Sequence, residues 1–176
     1  MIIWILGKSG SGKSTLAKAL KKSKKLNKKN WIHIDGDIIR KIFNDTIDYS
    51  IPNRKKNASR ISNLVKFLSD RNLNIIVSSL TNFQYWLNWN RKNLKNYFEI
   101  YLDVSMENLI QRDTKKIYKR AFQKKLKNVV GVDIKFNIPK NSDLKIDNNM
   151  NDKKLNKILS LIYENKKFLR MLENAK

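Results

Sequence analysis

Cysteine is absent from the 176 residues, which excludes disulfides, thiolate metal centres and cysteine nucleophiles and agrees with a cytoplasmic protein. A single histidine, His33, is present; it lies inside a strand pattern and reads as a satisfied core or half-buried side chain, not as a base. No apolar run is long enough to cross a membrane. The opening run, Met1 to Leu6, leads straight into a glycine-rich turn, so it reads as a core strand and not as a signal peptide or anchor. Acidic residues are scarce: 15 Asp and Glu stand against 38 Lys and Arg, for a formal charge of +23. That excess is mostly Lys, scattered over every segment and mixed with Asn, whereas recognition of bases or phosphates by a guanidinium fork favours clustered Arg. It reads as the solvated surface of a chain from an A- and T-rich genome, with a share reserved for phosphates in a cleft, and nucleic acid is not the expected partner.

What is present is long enough for one domain spanning 1–176 with a real core, at 41% hydrophobic residues. Three of its five glycines, Gly7, Gly10 and Gly12, fall within the stretch Gly7 to Thr15, a complete G-x-x-x-x-G-K-[ST] pattern. The stretch follows an apolar strand and precedes the helix-forming Leu16-Ala17-Lys18-Ala19-Leu20, the context in which the pattern is a phosphate-binding loop. Glycines let the backbone wrap a polyphosphate, and the amides of Ser9, Gly10, Ser11, Gly12 and Thr15, with the helix N-terminus behind them, can hold its oxygens. Lys13 is expected to reach the β- and γ-phosphates and the Ser14 hydroxyl to bind Mg²⁺, so ATP and Mg²⁺ are the expected cofactors.

Along the chain, Trp31 to Ile34 reads as a second strand ending in Asp35-Gly36-Asp37, two carboxylates at a strand's carboxyl end, where open α/β sheets place ligands. One can position Mg²⁺ and one can accept a proton from an attacking hydroxyl. Ile38 to Phe43 reads as a short helix, and Arg54 to about Arg71 as a longer one carrying Arg54, Asn57 and Arg60 in its first turns. Asn74 to Leu80 is a buried strand that exits at Thr81, and Tyr97 to Asp103 is another, followed by a helix from Met106 to Arg112. The aromatic run Phe83, Tyr85, Trp86 and Trp89 fits helix packing or stacking on a base. Arg112 to Lys127 is dense in basic residues and is expected to be an exposed helix or a lid, the lid reaching about residue 135 and including Lys115, Lys119 and Arg120. Leu144 to Ile146 is a weak strand, and Leu155, Ile158, Leu159, Ile162 and Leu169 mark one closing amphipathic helix. Alternation of strand and helix predicts an α/β three-layer sandwich of the P-loop type, a central parallel sheet with helices on both faces.

Over nearly its whole length the chain resembles the adenylylsulfate kinase family. The matching segments are the phosphate loop, Asp35 to Arg40, Tyr49-Ser50 with Arg54, Asn57 and Arg60, Arg112-Asp113 through Tyr118-Lys119-Arg120-Ala121, and Gly131-Val132-Asp133. The resemblance implies transfer of the γ-phosphoryl group of ATP to the 3′-hydroxyl of adenylyl sulfate. Lys13 and Asp35 would be catalytic, Asp35 as base or ligand of Mg²⁺-bound water. Arg112 would lie against ATP. Asp37, Arg40, Tyr49, Arg54, Asn57, Leu80, Thr81 and Val129 would line the acceptor nucleotide, with Arg40, Arg54 and Asn57 on its anionic group and ribose. Departures gather on that side. The family's adenine-stacking Phe falls at Val129, its Ser-Pro-Tyr-Arg strand exit is Thr81-Asn82-Phe83-Gln84, and its lid Lys-Gly-Leu-Tyr is Lys115-Lys116-Ile117-Tyr118. Such changes suit a smaller pyrimidine, as in the relative that phosphorylates cytidine diphosphoramidate in bacterial capsule assembly. Both acceptors stay open at this point, as does a homodimer. A different class, a basic nucleic-acid binder with a regulatory nucleotide site, would be revealed by steep loss of polynucleotide affinity with salt.

Overall fold

A computed structural model describes residues 1–26, 30–43, 49–80, 83–149 and 155–175. Its centre is β1 (Ile2–Leu6), in which every residue is buried. β1 lies between β3 (Asn74–Ser79) and β4 (Tyr97–Asp103), with β2 (Trp31–Asp35) and β5 (Leu144–Asp147) outside them in the order β2-β3-β1-β4-β5. All four pairings are parallel. A parallel sheet is covered on both faces, which is why these strands carry unbroken apolar runs. Alternation along β1 divides them: Ile3 and Ile5 enter one core with Leu16, Leu20, Ile158, Ile162 and Phe168, and Ile2, Trp4 and Leu6 enter the other with Ile61, Val65 and Leu87. Truncating any of these fully buried side chains to Ala is expected to cost about 2–5 kcal/mol.

The first face is covered by α1 (Lys13–Lys22), α7 (Leu155–Glu164) and α8 (Lys166–Glu173); the second by α2 (Gly36–Ile42), α3 (Ile51–Ser69) and α4 (Gln84–Asn93). Two short helices, α5 (Met106–Gln111) and α6 (Ile117–Phe122), follow β4 and enclose a small core of their own around Val104, Leu109, Tyr118, Ala121 and Val129. Among the described residues no helix is long and apolar enough to cross a membrane.

The structure differs from the sequence reading in three places. The closing helix is two helices, because the Asn165 side chain accepts from the Phe168 amide at 3.0 Å and starts a new one; Phe168, not Leu169, is the buried anchor. The basic stretch after Arg112 is helical only over α6, bounded by Lys116 at φ 54° and Lys124 at φ 58°, both left-handed. The longer helix starts at Ile51, with Pro52 in its first turn where a missing amide costs nothing. The strand exit at Thr81 and Asn82 lies outside the described residues.

Candidate active site

The carboxyl ends of the strands converge on a cleft of about 590 Å³. Its floor is the loop between β1 and α1. At Gly7 a Cβ would stand 2.6 Å from the Ser11 hydroxyl and 2.8 Å from the Leu102 carbonyl, so the loop's first position has no room for a side chain. Gly12 caps α1 at φ 92°, a left-handed conformation that glycine tolerates. No side chain caps α1, so its first amides keep their hydrogens for a ligand. The loop carbonyls are instead tied down. Lys13 Nζ donates to Lys8 O at 2.7 Å, the Tyr118 hydroxyl to Ser9 O at 2.9 Å, and Asn148 Nδ2 to Ser11 O at 2.9 Å. A carbonyl held this way cannot swing into the cleft and oppose an anion. Arg112 completes this wall by donating from Nη1 to Asn148 O at 2.8 Å. Burial of the Lys13 ammonium pulls its pKa down to about 8, against the opposing pull of Asp37 and Asp35.

Asp35, the last residue of β2, sits beside that floor. Burial would raise its pKa, but hydrogen bonds outweigh it and hold the carboxylate below its ordinary range. Oδ2 accepts from Ser14 Oγ at 2.6 Å and Ser78 Oγ at 2.8 Å, and Oδ1 caps α2 by accepting from the Asp37 amide at 2.9 Å. With its proton committed to Asp35, Ser78 accepts from His33 Nε2 at 2.9 Å. Burial pushes the His33 pKa below the usual imidazole value, so this ring orients Ser78 in its neutral form. An aspartate so stabilised is a weak base and a strong hydrogen-bond acceptor. Ser14 and Asp35 are hard oxygen donors 2.6 Å apart at the end of the loop, a set that fits Mg²⁺ once phosphate oxygens supply the remaining positions.

Across the cleft the polar groups are less fully used. Arg40 and Asn57 are buried at 8% and 6% exposure. Asn57 Nδ2 donates to Gly36 O at 3.3 Å. Arg40 Nη1 and Asn57 Oδ1 are buried without a hydrogen-bond partner among the described residues. Leaving a donor and an acceptor in that state costs about 1–3 kcal/mol each. Two guanidiniums lie over the Tyr49 ring, Arg40 at 4.7 Å and Arg54 at 5.2 Å from its centre. Val129 is buried in the opposite rim, where the Asp133 carboxylate accepts from the amides of Asn128 and Val129. An exposed ion pair, Lys115 to Asp37 at 3.3 Å, crosses between lid and α2; by its exposure it contributes about 0–1 kcal/mol.

Most of the residues singled out in the sequence line this one cleft: Ser9, Gly10, Gly12, Lys13, Ser14 and Thr15 on the floor, Asp35, Asp37, Arg40, Tyr49, Arg54, Asn57 and Leu80 along one wall, and Arg112, Lys115, Arg120 and Val129 along the other. Gly7 and Ser11 lie beneath the loop, Ser11 fully buried. Lys119 is exposed on α6, outside the lining, with its amide on Asp113 at 3.0 Å. Phe83, Tyr85, Trp86 and Trp89 do not line the cleft; Trp86 packs edge-on against both Tyr85 and Trp89. Thr81 lies outside the described residues. Sequence reasoning missed Ser78, Asn148 and Asp133 as site residues. Ser78 had a signal, a hydroxyl at a strand's carboxyl end; Asp133 stands in the matching Gly131-Val132-Asp133 segment but was given no role of its own, and Asn148 acts on a main-chain carbonyl 137 residues away.

The adenylylsulphate kinase family matches residues 1–147. Cytidine diphosphoramidate kinase of Campylobacter jejuni is 44% identical over 147 residues, 84% of this chain and 85% of that protein. Adenylyl-sulfate kinase of Clostridium acetobutylicum is 33% identical over 149 residues, 83% of this chain and 74% of that one. The structure of Mycobacterium tuberculosis APS kinase in complex with AMPPNP and APS shares the architecture with a TM-score of 0.79 at 26% identity, covering 93% of this chain and 97% of its own. Shikimate kinase of Aquifex aeolicus shares the fold at a TM-score of 0.54 and 20% identity, over 93% of this chain and 96% of that one. With that match over residues 1–147 and the Lys13, Ser14 and Asp35 constellation at its floor, the chain belongs to the adenylylsulphate kinase family and is a phosphotransferase.

Proposed function

We propose that the protein transfers the γ-phosphoryl group of ATP to the 3′-hydroxyl of cytidine diphosphoramidate. The triphosphate lies on the loop amides with Lys13 on its β- and γ-phosphates, and Ser14 with Asp35 would hold Mg²⁺, which would supply charge neutralisation when bound. Asp35 receives the hydrogen bond of the incoming hydroxyl. The hydroxyl oxygen bonds to the γ-phosphorus as the bond to the β,γ-bridging oxygen breaks, the hydroxyl proton passes to Asp35, and ADP leaves. Asp35 is a weak base, which suits a loose transition state: the proton becomes acidic only after the alcohol oxygen has begun to bond. On the opposite side Arg40 and Asn57 line the wall that would face the acceptor nucleotide.

Val129 carries the choice of acceptor. A buried aliphatic side chain at the slot's rim gives up the stacking partner a purine would use, about 1–3 kcal/mol of base binding. The 44% identity to a cytidine diphosphoramidate kinase supports the same choice over adenylyl sulfate. An ADP-release assay over cytidine diphosphoramidate, adenylyl sulfate and plain nucleoside mono- and diphosphates tests it. Turnover of the cytidine compound at least tenfold above the others is expected; preference for adenylyl sulfate would replace the acceptor and leave the phosphotransfer intact.

A further inference from the structure

Arg54 stands among the cleft's cations, and its resemblance to the family points it at the acceptor's anionic group. Its geometry says otherwise. Nε donates to the Tyr49 carbonyl at 2.7 Å and Nη2 to the Asn128 carbonyl at 2.7 Å. These carbonyls belong to opposite sides of the cleft, the segment entering α3 and the end of the lid, 74 residues from Arg54 in the second case. The guanidinium also lies over the Tyr49 ring. Asn128 is in the left-handed conformation at φ 64°, and its amide and that of Val129 are both held by Asp133. The backbones of Tyr49 and of Asn128, the residue before Val129, are therefore fixed to one planar fork.

From this we infer that Arg54 is a positioning residue, a brace that sets the width of the base slot between Tyr49 and Val129, and not a ligand of the acceptor's anionic group. The inference rests on the proposed nucleotide acceptor for its kinetic consequence, but its structural consequence is independent of that. A planar fork spanning two carbonyls cannot be replaced by an ammonium, which is a point donor. Removing the brace widens the slot for every nucleotide with the same base, whatever its distal group. Removing a direct ligand would penalise only nucleotides that carry the distal group.

The test compares Arg54→Gln and Arg54→Lys with the native enzyme by two readouts. The first is KM and kcat with cytidine diphosphoramidate and CMP, and with adenylyl sulfate and AMP. Both Arg54 variants should raise KM about tenfold for the members of a pair alike, with KM for ATP nearly unchanged. The second is hydrogen exchange without substrate: the amides of Asn128 and Val129 should exchange at least tenfold faster in both Arg54 variants than in the native enzyme. Loss confined to the distally substituted nucleotide in the Arg54 variants would make Arg54 a direct ligand and overturn the inference. Unchanged exchange at Asn128 and Val129 would overturn it as well. If no nucleotide in the panel is turned over while exchange quickens as expected, the acceptor assignment fails and the brace stands. Should Arg54→Gln not fold, Arg54→Lys, which keeps charge and length, carries both readouts.

Discussion

The two halves of the cleft are built on different plans. The floor is backbone: glycines at Gly7 and Gly12, a helix end without a side-chain cap, and carbonyls tied off by Lys13, Tyr118 and Asn148. Its one carboxylate, Asp35, accepts three hydrogen bonds. The far side is made of side chains, with a buried donor on Arg40 and a buried acceptor on Asn57 that have no hydrogen-bond partner among the described residues, and an aromatic ring 42% exposed at Tyr49. A floor whose carbonyls are tied off and whose helix-end amides are left for a ligand can serve one invariant group. A wall made of side chains takes its definition from them, and can be retuned without disturbing the floor.

The sharpest way to break that contrast is Lys13→Ala. Turnover should fall about 10²-fold or more with every acceptor alike, since the lost charge acts on the moving phosphoryl group. The thermal midpoint should hold or rise, because a desolvated ammonium leaves the fold. Unequal losses across acceptors in steady-state kinetics would show the halves to be coupled. Val129→Phe acts on the other side alone. It should move the ratio of kcat/KM between adenylyl and cytidyl acceptors by about 5- to 150-fold toward the purine, the worth of one stacking contact, with KM for ATP unchanged.

A pH titration probes the floor more gently. The folded pKa of Lys13 is about 8, below the ordinary lysine value of 10.5. A bound triphosphate favours the protonated amine, so above pH 8 binding must take up a proton and affinity falls, by up to about tenfold per unit. Fluorescence titration with AMPPNP between pH 7.5 and 9.5 should show this fall, and Lys13→Met should be flat. The sign for stability is the reverse. Between pH 8 and 10.5 the unfolded chain binds the proton that the folded one has lost, so the penalty fades and stability rises with pH. The smallest effect belongs to the lid. Lys116 is left-handed where the family pattern has glycine, so Lys116→Gly should raise the denaturant midpoint by about 1 kcal/mol's worth of stability.

How much of this could be read from residues alone follows the same division. β4 was legible to the residue, Tyr97 to Asp103, because an apolar run buried on both faces needs no distant information. The floor was legible because its geometry is encoded within one loop. The break at Asn165 was available as a capping residue but hidden by apolar spacing that continues in phase through Leu169. The wall was legible in composition and not in role: Arg40 and Arg54 look equivalent until Arg54 is seen to spend its fork on carbonyls of Tyr49 and Asn128, a fact of tertiary geometry.

The central place of β1 has a consequence for how the chain comes off the ribosome. This strand is synthesised before its two neighbours, which begin at Asn74 and Tyr97, and the last tether of the adjoining loop, Asn148 on Ser11, spans 137 residues. Until both neighbours emerge, an apolar edge stays open to pairing with any other nascent chain, and contacts of such long range form slowly. Premature termination anywhere before Asp103 therefore leaves a sticky fragment and not a smaller enzyme.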